Sequence, residues 1–217
     1  MRAFVDTANL EELRKATEYG FFSGVTTNPK LIQREVNTAH YREHILEIRK
    51  IFDGEVFAQV VGSSAEDMIR QAQEICDWTN NVVVKLPMNE AGIKAAAYLH
   101  SMKQIRTCMT LVFSPAQALV AAMAGANYVA PFFKRVNSAT GSGEYMIREL
   151  AELFRAAKVE TRIIGASVDA PADVITMAKA GADIVTAPMY IWEDMMQNQL
   201  SNDVLSMFLE GWRGNEI

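Results

Sequence analysis

The feature that most constrains this chain is an alternation: eight short β-rich runs, each followed by a longer stretch with helical spacing, from one end to the other. The runs are Ala3 to Asp6, Gly24 to Thr27, Val56 to Val61, Asn81 to Leu86, Arg106 to Leu111, Tyr128 to Phe132, Arg162 to Ser167 and Asp183 to Ala187. Divided among eight runs, the 217 residues leave about 27 per unit, the length of one strand, one helix and two short loops. Between Leu10 and Tyr19, Leu10, Leu13 and Ala16 share one helical face, while Glu11, Glu12, Arg14, Lys15 and Glu18 lie largely elsewhere. Most of the runs are continuously apolar, as expected for parallel strands covered on both faces.

A partial repeat sharpens the pattern. Ala124-Gly125-Ala126-Asn127-Tyr128-Val129-Ala130-Pro131 resembles Ala180-Gly181-Ala182-Asp183-Ile184-Val185-Thr186-Ala187-Pro188, and the two glycines stand 56 residues apart, room for two units of 28. Glycine followed by a small or polar residue and a β-branched run reads as a helix stop and a strand entry. Eight βα units predict a (β/α)8, or TIM, barrel in one domain over 1–217. A doubly wound open sheet is the competing arrangement. Its nucleotide-binding form loses its strongest support because neither GxGxxG after the first strand nor GxxxxGK[ST] occurs. A helical tail over about 190–214 carries Met195, Met196, Leu200, Leu205, Met207, Phe208 and Leu209 at helical spacing, which core packing explains.

Composition excludes several classes of function. Apolar runs such as Ala118 to Ala124 are far shorter than the roughly 18 residues of a membrane span. Met1-Arg2 leads straight into a strand with no extended apolar segment, so a secretory signal is not expected and the cytoplasm is the expected location. The formal charge of -5, with no basic cluster longer than a pair, argues against a nucleic-acid partner. Cys76 and Cys108 are too few for a disulfide framework, and Cys108 reads as a small core residue with no base beside it. Of the three histidines, His40 and His44 fall at i, i+4 in a charged stretch and read as a solvated helix face, with no third ligand. No metal is expected.

In a (β/α)8 barrel the chemistry sits at the C-terminal ends of the strands. The polar residues there are Asp6, Thr26, Asn28, Gln59, Lys85, Thr110, Arg135, Ser167 and Thr186. Lys85 stands out because Val82-Val83-Val84-Lys85-Leu86-Pro87 puts one amine in a β-branched apolar strand, where desolvation disfavours the charged form. A neutral amine attacks carbonyls and forms Schiff bases. The plainer reading is a buried ion pair between Lys85 and a carboxylate such as Asp6. Asp6 is either an acid/base or a cap for the helix near Leu10, although Thr7 and Asn9 lie nearer to that helix. Asn28 is either a helix-entry turn residue or a holder of substrate hydroxyls. Gln59 and Thr110 either satisfy one another or hold a water, and Arg135 beside Lys134 is either a solvated pair or an anion site.

These residues resemble the small transaldolase and fructose-6-phosphate aldolase family. The resemblance is carried in order by Phe4-Val5-Asp6-Thr7-Ala8-Asn9, Gly24-Val25-Thr26-Thr27-Asn28-Pro29, Val83-Val84-Lys85-Leu86-Pro87, Thr110 to Gln117 and Ala124 to Pro131. It implies a Schiff base on Lys85, with Asp6 as acid/base, Gln59 and Thr110 around a water, and Asn28 with neighbouring Thr26 on substrate hydroxyls. Arg135 and Ser167 would hold a distal phosphate. It further implies a ketose donor, an aldose acceptor, no cofactor, and a homo-oligomeric ring, pentamer or decamer, built through the tail helix. Within that family, Gln59 resembles the aldolases, whereas Phe132 resembles the transaldolases and removes a phenol that helps protonate the enamine. Transfer is therefore expected over hydrolysis, with a lyase releasing dihydroxyacetone as one alternative and a non-catalytic sugar-binding barrel as another. Asp169 departs from the family's usual cation two residues after Ser167. With Lys134 supplying the missing charge, this points to an altered donor, either a less charged anion such as a 6-sulfonate or an unphosphorylated ketose, unless Asp169 turns away as a helix cap before Pro171.

Overall fold

The computed structural model describes residues 1–212. The chain runs β1 (Arg2–Asp6), α1 (Leu10–Tyr19), β2 (Phe22–Thr26), α2 (Pro29–Glu35), a 3-10 turn (Thr38–His40), α3 (Tyr41–Ile51), β3 (Glu55–Gln59), α4 (Ala65–Trp78), β4 (Val82–Pro87) and α5 (Glu90–Lys103). It continues with β5 (Thr107–Val112), α6 (Pro115–Met123), β6 (Tyr128–Pro131), α7 (Phe133–Thr140), α8 (Gly143–Ala156), β7 (Arg162–Gly165), α9 (Pro171–Ala180), β8 (Ile184–Ala187), α10 (Met189–Met196) and α11 (Gln199–Trp212). The strands close into a barrel in sequence order, each parallel to its neighbours. Every expected strand is present, with ends moved by one or two residues.

Because a strand's side chains alternate between faces, each strand feeds two cores. Val5, Val25, Val56, Val82, Val84, Met109 and Val185 face outward and pack with Leu13, Ile48, Leu99, Ile147 and Met177 of the helices. Phe4, Phe57, Val83, Cys108, Tyr128, Ile164 and Ile184 face inward and fill the barrel. Phe57 joins Phe4 and Tyr128 at ring-centroid separations of 5.4 and 5.2 Å. Each fully buried side chain of this size contributes about 1.5–3 kcal/mol by leaving water. The repeat glycines do what their spacing predicts: Gly125 and Gly181 follow α6 and α9 with φ of 81° and 100°, a conformation that favours a residue without Cβ.

The N-terminal pole is closed by one carboxylate. Glu55 accepts from Arg2 at 2.9 Å, Arg106 at 2.5 Å and the Tyr128 hydroxyl at 2.6 Å. At the C-terminal side of the chain, the Trp192 indole donates to the carbonyls of Phe4 and Ala187, which ties α10 across β1 and β8.

Two expectations need correction. His44 is not on a solvated face: it is buried, and its Nε2 lies 2.7 Å from the Ala8 carbonyl, because α3 packs that side against the loop after β1. The tail is not explained by core packing. It is two helices, and none of α11 is buried, with Leu200 75% and Phe208 70% exposed. Positions 213 and 214 of the expected tail lie outside the described residues. Among the described residues no helix is long and apolar enough to cross a membrane.

Candidate active site

The inward parity that builds the barrel core also builds the site. Moving two residues on from Phe4, Phe57, Val83, Cys108 and Ile184 gives Asp6, Gln59, Lys85, Thr110 and Thr186, all directed into the same chamber. Together with Thr26, Asn28, Phe132, Arg135 and Ser167 they line a cleft of about 440 Å³ at the C-terminal mouth. The small side chains of Ala130 and Ala166 leave that space open.

Lys85 is buried, and its Nζ donates to the Thr27 carbonyl at 2.7 Å. Among the described residues it forms no salt bridge, so the alternative of a buried ion pair with Asp6 is not realised. The Thr27 carbonyl is held in place because Thr27 itself donates its N–H and its hydroxyl to the Phe57 carbonyl. Cys108 stands beside Lys85 in strand register, and burial pushes its thiol up to about 12, which removes it as a nucleophile at neutral pH.

Asp6 is released from capping duty: Asn9 accepts from the N–H groups of Glu11 and Glu12, and Thr7 bonds to Glu12. Asp6 Oδ1 instead accepts the Thr26 hydroxyl at 2.6 Å, and Thr26 Oγ1 lies 2.6 Å from Thr186 Oγ1. Burial holds the Asp6 carboxyl above the ordinary carboxylate range, against the opposing Lys85 charge and the Thr26 hydrogen bond. Asn28 is the helix-entry residue that one of its two readings expects, and it also lines the cleft. Its Oδ1 caps α2 by accepting from Leu31 N–H, which leaves its amide NH₂ as a pair of donors at the cleft. No hydrogen bond joins Gln59 to Thr110 among the described residues, so both polar groups remain available to the cleft.

The opposite rim is made by β6 and β7. Phe133 and Lys134 N–H donate to the Ala166 and Ser167 carbonyls, so the first amides of α7 are already used. An anion there would meet the Arg135 guanidinium and the Ser167 hydroxyl. Ser167 adopts φ of 65°, a left-handed conformation uncommon outside glycine and one that collects at functional sites. Leu111, also on the cleft, has φ of 62° where the β5 register shifts.

Lys134 does not line the cleft. Its Nζ lies 3.7 Å from Asp169 and 4.0 Å from Asp173, and the Asp169 side chain is 64% exposed. Neither residue lines the cleft at which the sequence led one to expect an effect on a bound anion. Asp169 is not the helix cap either, since α9 is capped from within by Asp173, whose carboxylate accepts from the N–H groups of Asp169 and Ala170. Sequence reasoning missed Lys30, which lines the cleft one residue after Pro29. β2 and β6 are four strands apart in the ring, so Lys30 and Arg135 reach the cleft from different sides of the barrel. The signal available is a cation just past strand 2, at the start of α2, the same kind of signal that singles out Arg135 just past strand 6. Among the described residues no three His, Cys, Asp or Glu side chains gather as a metal site requires.

The raised Asp6 carboxyl has a consequence for stability. The folded chain holds that proton more tightly than the unfolded chain, so ionisation at neutral pH is destabilising; the penalty fades as pH falls through the raised folded value and is gone once pH is below the ordinary carboxylate value. Asp6→Asn is expected to be more stable than the parent at pH 7, with the difference shrinking towards pH 4, in denaturant unfolding across that range. A variant less stable at every pH would contradict this.

Comparison with known proteins agrees with the geometry. The family model described as Transaldolase/Fructose-6-phosphate aldolase matches residues 3–212. A probable transaldolase of Clostridium botulinum (strain Eklund 17B / Type B) is 42% identical over 214 residues, covering 99% of both chains. Probable transaldolase 1 of Listeria monocytogenes serotype 4b is 43% identical over 212 residues, covering 98% of both. Thiamine phosphate pyrophosphorylase from Pyrococcus furiosus shares the fold alone, with a TM-score of 0.62 at 17% identity over 86% of this chain and 85% of that one. The protein is an enzyme of the aldolase/transaldolase kind. With a family model covering nearly its whole length and full-length relatives above 40% identity, the chain belongs to the transaldolase/fructose-6-phosphate aldolase family.

Proposed function

We propose that the enzyme transfers a dihydroxyacetone unit from a ketose 6-phosphate to an aldehyde acceptor through a Schiff base on Lys85. The observation that carries this reading is a buried lysine without a carboxylate partner among the described residues, hydrogen-bonded to a fixed carbonyl in a polar cleft that also holds Asp6. Lys85 attacks carbon 2 of the ketose, and loss of water leaves an iminium that withdraws electrons from the bond between carbons 3 and 4. Asp6 removes the proton of the carbon 4 hydroxyl, that bond breaks, the aldehyde departs, and the electron pair stays on the three-carbon enamine. Addition of the enamine to an acceptor aldehyde, with Asp6 returning the proton, makes the new bond. Water, held by Gln59 and Thr110 in this reading, then hydrolyses the iminium and frees Lys85.

Retention of the enamine for transfer is supported by Phe132, which packs edge-on to Phe113 at 5.6 Å and offers no hydroxyl for protonation. The lyase reading rests on Gln59 alone. Aldehyde release from fructose 6-phosphate is expected to rise at least tenfold when an aldose acceptor is added. Equal rates without acceptor would favour the lyase. A single guanidinium, Arg135, with Ser167 supports one terminal anion on the donor. The 6-sulfonate reading keeps little support, because Asp169 turns outward beside Lys134. Fructose 6-phosphate is accordingly expected to be the better donor when the two are compared directly.

The homo-oligomer is part of the same reading, and its support is the unburied apolar face of α11. Leu205→Glu combined with Phe208→Glu is expected to lower the mass seen by light scattering while circular dichroism stays unchanged. An unchanged mass would remove the tail from the assembly.

A further inference from the structure

We infer that Thr186, on β8, is a positioning residue that sets the orientation of the Asp6 carboxylate by acting through Thr26. This rests on the reading of Asp6 as acid and base. Thr26 Oγ1 lies 2.6 Å from Asp6 Oδ1 and 2.6 Å from Thr186 Oγ1, and a hydroxyl carries one proton. When Asp6 is ionised, Oδ1 can only accept, so the Thr26 proton is committed to it. The contact between the two hydroxyls must then be filled by the proton of Thr186. The chain is polarised in one direction, from Thr186 to Thr26 to Asp6, and each bond strengthens the next.

Topology explains why the chain exists. β1 lies between β2 and β8, with Asp6 in register with Thr26 and Phe4 in register with Thr186. The inward faces of all three strands meet here, and both hydroxyls are buried. Oδ1 is occupied from this side, whereas Oδ2 has no hydrogen-bond partner among the described residues and is left for the proton of the substrate hydroxyl. Without the Thr186 hydroxyl, Thr26 still reaches Asp6, but its own lone pair is unfilled and its torsion is no longer fixed. The charged form of Asp6 then loses part of its stabilisation, so the carboxyl titrates at higher pH.

The other titratable groups around this chamber are Lys85, Cys108, Lys30 and Arg135, and none is altered by a change at Thr186. The test compares Thr186→Val, of nearly equal volume, with Thr186→Ser, which restores the hydroxyl. In the Val variant kcat for ketose cleavage is expected to fall about fivefold, the size of one net hydrogen bond. KM should change little, the acid limb of the kcat profile should move to higher pH, and the Ser variant should recover both. Titration of the Asp6 carboxyl by ¹³C NMR in the resting protein should show the same upward shift in the Val variant. An unshifted Asp6 titration, or a Ser variant as impaired as Val, would overturn the inference and leave a packing role. The titration decides this even if the parent failed to cleave ketose, an outcome that would overturn the acid/base reading instead.

Discussion

Everything in this molecule depends on the two-residue alternation of side chains along eight parallel strands that close on themselves. Closure gives the inward positions nowhere to go but a shared interior, so their chemistry is pooled whatever their distance in sequence. The lower inward positions are apolar and aromatic and make a solid plug, with Glu55 tying Arg2, Arg106 and Tyr128 beneath it. The next inward positions are polar and open to the mouth. A one-residue slip of β4 would carry Lys85 to the helix side and place Val84 or Leu86 in the chamber.

The chamber is not arranged for stability. Lys85 and Asp6 are both withdrawn from water, yet they are not paired with each other, and each is held by a neutral group instead: the Thr27 carbonyl and the Thr26 hydroxyl. A direct pair would satisfy both charges and would occupy the amine and carboxylate that the proposed reaction uses. Left-handed Ser167 and Leu111 add backbone cost at the same rim. Such features persist because the surrounding barrel is packed on both faces of every strand.

Much of this was legible in the sequence for a definite reason. Strands buried on both faces must be apolar, so each polar residue late in a run is conspicuous, and Asp6, Gln59, Lys85 and Thr110, which the fold gathers at one cleft, stand out that way. Thr186 was seen among them, but its partner Thr26 lies 160 residues away, and only closure of β8 onto β1 brings the two together. Lys134 and Asp169 lie outside the cleft, and the sequence does not show it because they are beyond the strands, where side-chain direction is set by the turn into each helix. The same limit applied to His44 and to α11, since amphipathic spacing marks an apolar face without saying what that face meets.

The central claim is that Lys85 forms the covalent bond to substrate. Borohydride reduction in the presence of fructose 6-phosphate, followed by peptide mass spectrometry, tests it most directly. The account expects a stable adduct on the peptide bearing Lys85, dependent on ketose and absent from Lys85→Met. Cleavage of the ketose with no adduct at Lys85, or an adduct on another lysine, would contradict it.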